Sequence, residues 1–489
     1  SIIHQQNHTY LLLILTFKKS IMKFKHIFIL ITFLTIGCEK GIDELNDNPN
    51  SPTSANYDLI LTGVEIGNAV LQTGEMVRKT GIFSGQYTGL DRAHLTYTTY
   101  SVASSSFNSQ WNEVYVDVVS NSRVAESVAI EQGVDGIGIG IIKVIRAMAL
   151  GTATSMWGDI PFDEAGYPDI ENPSFESQTV VYQKLQQLLD EAILDLSKGS
   201  GRPPSGADIH FDGSPSEWIA VANTLKARYY LHTKDYNSAT TYASLGISSS
   251  SGNLAVPHGS SNDDANLTYQ FFEIGVRGSD LKVSDFLLSM MDSTISNVSP
   301  ANYRGNTKTN ETARYAFMFR SSGGEIIPNT VNGISATDQS ANMVSYAENQ
   351  LILAESAVRL GFLESGVNAL NAHRSNLLST MSSFGAAKYD AYQLSDFENG
   401  GIENTDGLST ANSLLREILE ERYVSLFNTT ENFSDTRRTD GESLVRVQVI
   451  PNNGTDLPQR FLYPQTEVDR NSNVPNPIPG FFEQTTINQ

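Results

Sequence analysis

The chain has a single cysteine, Cys38, in 489 residues. Without a second thiol there is no internal disulfide, and a Cys-rich zinc or iron–sulfur centre is excluded. Positive charge is scarce: 33 Lys and Arg face 54 Asp and Glu, for a formal charge of −21. Neutralising phosphates needs clustered Lys and Arg, so no nucleic-acid partner is expected. Peripheral binding to anionic lipid by charge is opposed for the same reason. Long apolar runs are missing too. Residues 11–17 fall far short of the ~20 residues of a spanning helix, and no stretch after Cys38 reads as one. Catalytic motifs are lacking: there is no His-Glu-x-x-His and no Gly-x-Ser-x-Gly. Gly136-x-Gly138-x-Gly140 lacks a following Lys-Ser/Thr and a preceding strand pattern, so it is no phosphate loop. Of eight His, only His4 and His8 have ligand spacing, and both lie upstream of Met22. No metal site, cofactor or catalytic residue is therefore assigned. Paired carboxylates for glycoside hydrolysis stay open, because 54 acids always offer pairs.

What is present starts at the cysteine. Met22-Lys23-Phe24-Lys25-His26 is basic, residues 27–36 form a short apolar run, and Gly37 stands just before Cys38. This is the layout of an exported lipoprotein. The Cys38 thiol would form a thioether to diacylglycerol, and each buried CH₂ of the acyl chains adds about 0.8 kcal/mol of membrane attachment. Residues 1–21 read as an upstream extension, 22–37 as a lipoprotein signal peptide and 38–56 as a tether rich in Asn, Asp, Ser and Pro. Acidic Glu39, Asp43 and Glu44 come directly after the cysteine.

Helical spacing dominates the rest of the chain. Residues 57–71 predict a first helix, and Trp111, Val114, Tyr115 and Val118 mark one face of another. Residues 141–156 are apolar on most sides and predict a buried helix, ended by Trp157-Gly158-Asp159-Ile160-Pro161-Phe162. Tyr182, Leu185, Leu188, Leu189, Ala192, Ile193 and Leu196 form an amphipathic stripe. Ala227, Tyr230, Ala239, Ala243 and Gly246 have the small/aromatic/small spacing of a tetratricopeptide helix pair, and Ala354, Ala357, Gly366 and Leu370 repeat it loosely. A last strong helix is predicted over 413–427. The expected fold class is mainly α. Helical repeats cover about 57–247 and 346–439, an irregular loop-rich lobe about 248–345, and an irregular C-terminal segment 440–489.

Several segments carry a family likeness: Leu45-Asn46-Asp47-Asn48-Pro49-Asn50, Trp157-Gly158-Asp159-Ile160-Pro161, Trp218 with Asn223-Thr224-Leu225-Lys226-Ala227-Arg228-Tyr229-Tyr230, Glu421-Arg422-Tyr423 with Asp435-Thr436-Arg437-Arg438, and Arg460-Phe461-Leu462-Tyr463-Pro464 with Glu467 and Asn471. In this order they resemble the SusD/RagB family of surface nutrient-binding lipoproteins, and the likeness covers 45–471. It implies four tetratricopeptide-like helix pairs with a lobe packed against them. It also implies outer-membrane attachment facing the exterior, a SusC-like TonB-dependent transporter as partner, and an oligosaccharide ligand, sometimes a peptide. No bond is broken. The competing readings are peptide capture by the same architecture, a surface glycoside hydrolase and a tetratricopeptide scaffold without a small ligand.

Sugar binding needs exposed aromatic faces flanked by polar side chains. Two loops have that composition. The first runs through Tyr87, Asp91 and Arg92 to Tyr97, Tyr100 and Phe107; in the family, the region after the first helix contributes to the ligand face. The second holds Tyr269, Phe271, Phe272, Arg277 and Asp280. The family's common Asp-Pro-Arg is replaced by Val298-Ser299-Pro300-Ala301-Asn302-Tyr303-Arg304. Trp111, Trp157 and Trp218 are assigned to core packing, and Arg437 and Arg438 to pairing with acids such as Asp435.

Overall fold

The helix at the centre of the protein, Ile137–Trp157, is buried at every residue but Lys143. The computed structural model describes residues 56–489 except 296 and 299–301; the upstream extension, signal peptide, Cys38 and the tether up to residue 55 lie outside the described residues. In chain order, with the short helices Asn108–Asn112, Leu267–Tyr269, Asp285–Met291, Thr312–Met318 and Gln465–Arg470 left unnumbered, the helices are α1 (Tyr57–Thr73), α2 (Glu75–Phe83), α3 (Arg92–Thr98), α4 (Asn121–Glu131), α5 (Ile137–Trp157), α6 (Gln178–Ser197), α7 (Pro215–His232), α8 (Tyr236–Ala243), α9 (Tyr346–Arg359), α10 (Leu363–Met381), α11 (Thr410–Ser425) and α12 (Glu431–Arg438). A π-helical stretch, Glu113–Ser120, leads into α4. Helices α5–α12 form four consecutive pairs, and the protein is mainly α-helical.

Helix α5 corrects one expectation. Its 21 residues, with a mean hydropathy of 1.5 over the best window, are long and apolar enough to cross a membrane, yet 89% of that window is buried within the protein. The glycines at its start have a packing role. A Cβ on Gly140 would stand 2.6 Å from Leu196 Cγ and 2.9 Å from Ala192 O, so α6 approaches closely only because the side chain is absent. On α6 the facing stripe, Tyr182, Leu185, Leu189, Ala192 and Leu196, is buried as its spacing predicts. In the next pair, buried Ala227, Ala239 and Ala243 bring α7 and α8 together, while Tyr230 stacks on Tyr242 at 5.4 Å.

Two of the motif segments meet in space. Past the C-terminus of α5, Phe461 N–H donates to Met156 O at 2.8 Å, Trp157 Nε1 donates to Leu462 O at 2.9 Å and the Tyr463 hydroxyl donates to Asp159 O at 2.7 Å. The 157–161 turn and the 460–464 segment are thus one packed unit. Trp111, Trp157 and Trp218 are all buried.

The remainder of the lobe is tied by two-stranded pairings. Strand β1 (Tyr87–Gly89) pairs with β3 (Leu281–Val283), and β2 (Leu254–Val256) pairs with β4 (Ala341–Val344). Phe319–Ser322 and Glu325–Pro328 form a hairpin.

Buried ion pairs join the pairs of helices. Arg438 forks onto both Glu355 oxygens at 2.5 and 2.6 Å and reaches Asp435 at 2.8 Å. Arg437 departs from expectation: it donates to the carbonyls of Phe433, Ser155 and Gln459 and stands 4.1 Å over the Phe433 ring, and among the described residues no carboxylate pairs with it. Burial alone would raise the Glu355 carboxyl, but Arg438, Arg359 and Arg422 outweigh it and hold it far below the usual range. Glu65, sealed in α1, behaves oppositely: burial and the nearby Asp208 carboxylate push it well above that range.

Both environments should show in stability. Glu355→Ala leaves buried guanidinium groups short of a carboxylate and should cost about 3–5 kcal/mol in urea denaturation at pH 7; a loss within error would refute the network's role. For Glu65, the folded state holds the proton more tightly than the unfolded chain. Stability from this group is therefore full below the unfolded pKa of about 4.3 and falls as pH rises toward the folded value. Glu65→Gln should raise the melting temperature at pH 8 by roughly 2 °C and leave it unchanged at pH 4.

Candidate functional site

The two aromatic loops, 190 residues apart in sequence, come together. Tyr87 stands opposite Val283, Thr88 opposite Lys282 and Gly89 opposite Leu281. The ladder is extended by Leu90 N–H donating to Asp280 O at 2.7 Å. Beyond it, Arg92 Nη1 donates to Asp280 Oδ1. Asp280 is only 1% exposed while Arg92 reaches solvent, so the acid acts as a buried post for the exposed guanidinium. Asp91 caps α3, accepting from Arg92 N–H at 2.8 Å.

The backbone at both ends of α3 is held in the left-handed region, with φ of 50° at Arg92 and 57° at Tyr100. Such residues cost of order 1–3 kcal/mol each and persist where their surroundings over-determine them. Arg92 is fixed by Asp280. Tyr100 is fixed by Asn452, whose N–H donates to the Tyr100 hydroxyl at 3.0 Å. Burial pushes that hydroxyl up to about 12.

Only some of the loop aromatics reach the surface. Tyr87 points inward, fully buried; its ring lies 5.2 Å from Phe427 and its hydroxyl donates to Asn428. Tyr97 packs against Phe83 and beneath Lys79. Phe272 is buried edge-on to Phe271 at 4.9 Å, and Phe107 is buried in the main core. None of these four offers a free face to a sugar, which corrects the expectation for Tyr87, Tyr97 and Phe272. Asp280 is likewise a positioning group. Tyr100, Tyr269 and Phe271 remain half-buried, and Asp91, Arg92 and Arg277 are exposed. Leu95, Ile274 and Val276 on the same loops are exposed, Val276 at 90%.

One residue of this face was not expected from the sequence. Arg78, on α2, stands 4.4 Å over the Phe271 ring. Its Nε is buried without a partner, and among the described residues no carboxylate lies within salt-bridge distance of it. Burial pulls its guanidinium pKa down, with Glu75 opposing. A lone Arg on an amphipathic helix carries no signal until its surroundings are known. His94 meets Phe271 from the other side at 5.2 Å, and burial lowers its pKa to about 4, so it is neutral at physiological pH. The face thus offers half-exposed rings flanked by Arg78, Arg92 and Arg277, the composition that receives a sugar's C–H side and hydroxyls. Among the described residues no cluster of three or more His, Asp or Glu could hold a metal.

A sequence model of the SusD-like proteins, described as starch-binding and associating with the outer membrane, matches residues 49–464. The chain belongs to the SusD-like family. Its fold matches solved members. A SusD/RagB family protein from Bacteroides thetaiotaomicron is 19% identical, with 86% of this chain and 95% of that chain covered and a TM-score of 0.62. A chitin-binding SusD homologue from Flavobacterium johnsoniae is 16% identical, with 89% and 99% covered and a TM-score of 0.66. A SusD homologue from Bacteroides fragilis is 16% identical, with 89% and 100% covered and a TM-score of 0.64. No curated protein sequence matches the chain. SusD-like proteins are binding proteins, so the chain is a binding protein and not an enzyme.

If Asp280 is the post that joins the loops, Asp280→Ala should free them. Amide hydrogen exchange over 90–99 is expected to rise about tenfold while α5 keeps its protection. Unchanged exchange in the loop would show that the strand pairing alone holds it.

Proposed function

We propose that this SusD-like protein is a lipoprotein anchored through Cys38, facing the cell exterior, that captures a nutrient oligosaccharide and passes it to a SusC-like TonB-dependent transporter. In this reading residues 22–37 are the signal peptide and 38–56 the tether. The observation that carries the ligand assignment is the convergence of the two loops: β1 pairs with β3, and the Phe271 ring lies 4.4 Å from Arg78 and 5.2 Å from His94 of the strained Arg92–Tyr100 segment. Pyranose rings gain apolar burial on such aromatic faces and orientation from the flanking polar groups. Support also comes from the family's description as starch-binding and from the chitin-binding homologue. Delivery needs the protein to close over its transporter as a lid, a motion of the kind that gates many ligand sites. The acid pair Glu65 and Asp208 is buried in the core, without access to a polymer.

Three measurements test the proposal. Cys38→Ala should move the protein from the membrane fraction to the soluble periplasm, and retention in the membrane would refute the anchor. Purification from detergent-solubilised outer membrane should bring a TonB-dependent barrel along in stoichiometric amount. In calorimetry with oligosaccharide fractions, Arg78→Ala combined with Tyr269→Ala should weaken binding by at least about tenfold, or about 1.4 kcal/mol. Binding of peptides with no response to glycans would reverse the ligand assignment.

A further inference from the structure

A cleft of about 430 Å³ opens at the junction of the lobe with the later helix pairs. It is bounded by the first turn of α9, the C-terminal half of α10, β4 and the 426–429 turn between α11 and α12. None of residues 78–107 or 269–280 lines it, so it is separate from the loop face. Its size lies within the range of about 300–1,000 Å³ common to small-molecule sites.

The lining has a consistent chemistry. Phe317, Tyr346 and Phe384 are half-buried rings, and Phe317 and Phe384 meet at 4.8 Å. The side-chain amides of Asn253, Asn342 and Asn376 stand among them. The charged groups of the lining are already satisfied. Arg314 is held by Glu421 and Ser425, Glu348 takes a bidentate pair from Arg228 at 2.6 and 2.7 Å, and His373 Nε2 stands 2.8 Å from Glu421. Two lining atoms keep unused polar capacity: Ser335 Oγ and the second ring nitrogen of His373, Nδ1, are buried without a partner. Unsatisfied buried polar atoms are uncommon in native proteins and call for a reason.

We propose that this cleft is a second ligand site, built for one or two units of a neutral sugar, with ring C–H faces on Phe317, Tyr346 and Phe384 and hydroxyls on the asparagine amides. A peptide terminus, a phosphate or a uronate would enter with a charge that the lining has no spare counter-charge to meet, and leaving it unpaired is costly. The assignment does not rest on the loop face and stands whether or not that face binds glycan.

Methionine methyl NMR reads the cleft directly, because Met318, Met343 and Met381 line it while Met76, Met148 and Met156 do not. Full-length protein labelled at methionine methyls would be titrated with maltose, cellobiose, lactose and N,N′-diacetylchitobiose at millimolar concentration. We expect saturable shifts of the Met318, Met343 and Met381 signals with at least one of these sugars. Ala347→Phe, which fills the cleft, should abolish them, and Asn342→Ala, at an exposed position, should weaken them roughly tenfold without disturbing the fold. Tyr269→Ala, on the loop face, should leave them unchanged. The proposal is overturned if all four sugars leave the three signals unmoved, or if only alanyl-alanine or inorganic phosphate moves them.

Discussion

Helices α11 and α12 carry a row of buried charges, and the placement of nearly everything else depends on how those charges are met. Glu421 takes Arg304 at 2.7 Å and Arg314 at 3.0 Å from the lobe, and His373 at 2.8 Å from α10. Asp435 takes Arg422 and Arg438, which also share Glu355 of α9. Glu431 takes His232 of α7 at 2.9 Å, and Arg228 beside it forks onto Glu348. Apolar pairs of similar volume often stabilise as well as buried ion pairs do, so stability alone is a weak account of this network. What it supplies is register. An Arg fork accepts one orientation of a carboxylate, and a helix displaced by a turn would leave several charges buried and unmatched.

The same helix pair reaches the candidate site. Gln86 donates to Tyr423 O at 2.8 Å, the Tyr423 hydroxyl donates to Ser84 O at 2.9 Å, and Tyr87 donates to Asn428. The start of the first loop therefore hangs from the C-terminal end of α11. Asn428 sits at φ 60°, a conformation that Asn tolerates better than most residues, and also lines the second cleft. Scaffold and ligand surfaces are joined through one turn.

Range decides how much of the molecule is readable in its sequence. Helix pairs announce themselves locally: the α6 stripe and the Ala227, Ala239 and Ala243 contacts depend on spacing within one or two helices. The core role of the three tryptophans was legible for the same reason. The loops were legible as aromatic and polar but not as surfaces. Whether Tyr87 faces in or out is decided by a strand almost 200 residues later, and a one-residue shift of pairing would reverse it. Arg78 stayed hidden because its significance lies in Phe271 standing over it and in the carboxylate that is missing beside it. The apolar length of α5 showed the limit from the other side. Its composition fits a membrane, and only its neighbours, α1, α4, α6, α7 and the Glu113–Ser120 stretch, make it a core helix.

Order in the loop face has an energetic logic of its own. Sugars bind weakly per contact, and a loop that must become ordered on binding loses much of the gain to conformational entropy. Here the order exists before the ligand arrives. Asp280 fixes Arg92, Asn452 fixes Tyr100, and the β1–β3 ladder fixes the base. The two left-handed residues are the visible cost of that arrangement, offset by contacts made in the folded state and not by the ligand. A face so held keeps the Arg92 guanidinium and the Tyr100 ring in place, as the proposed sugar site requires. The exposed Ile274 and Val276 at the tip of the second loop stand outside this tied region.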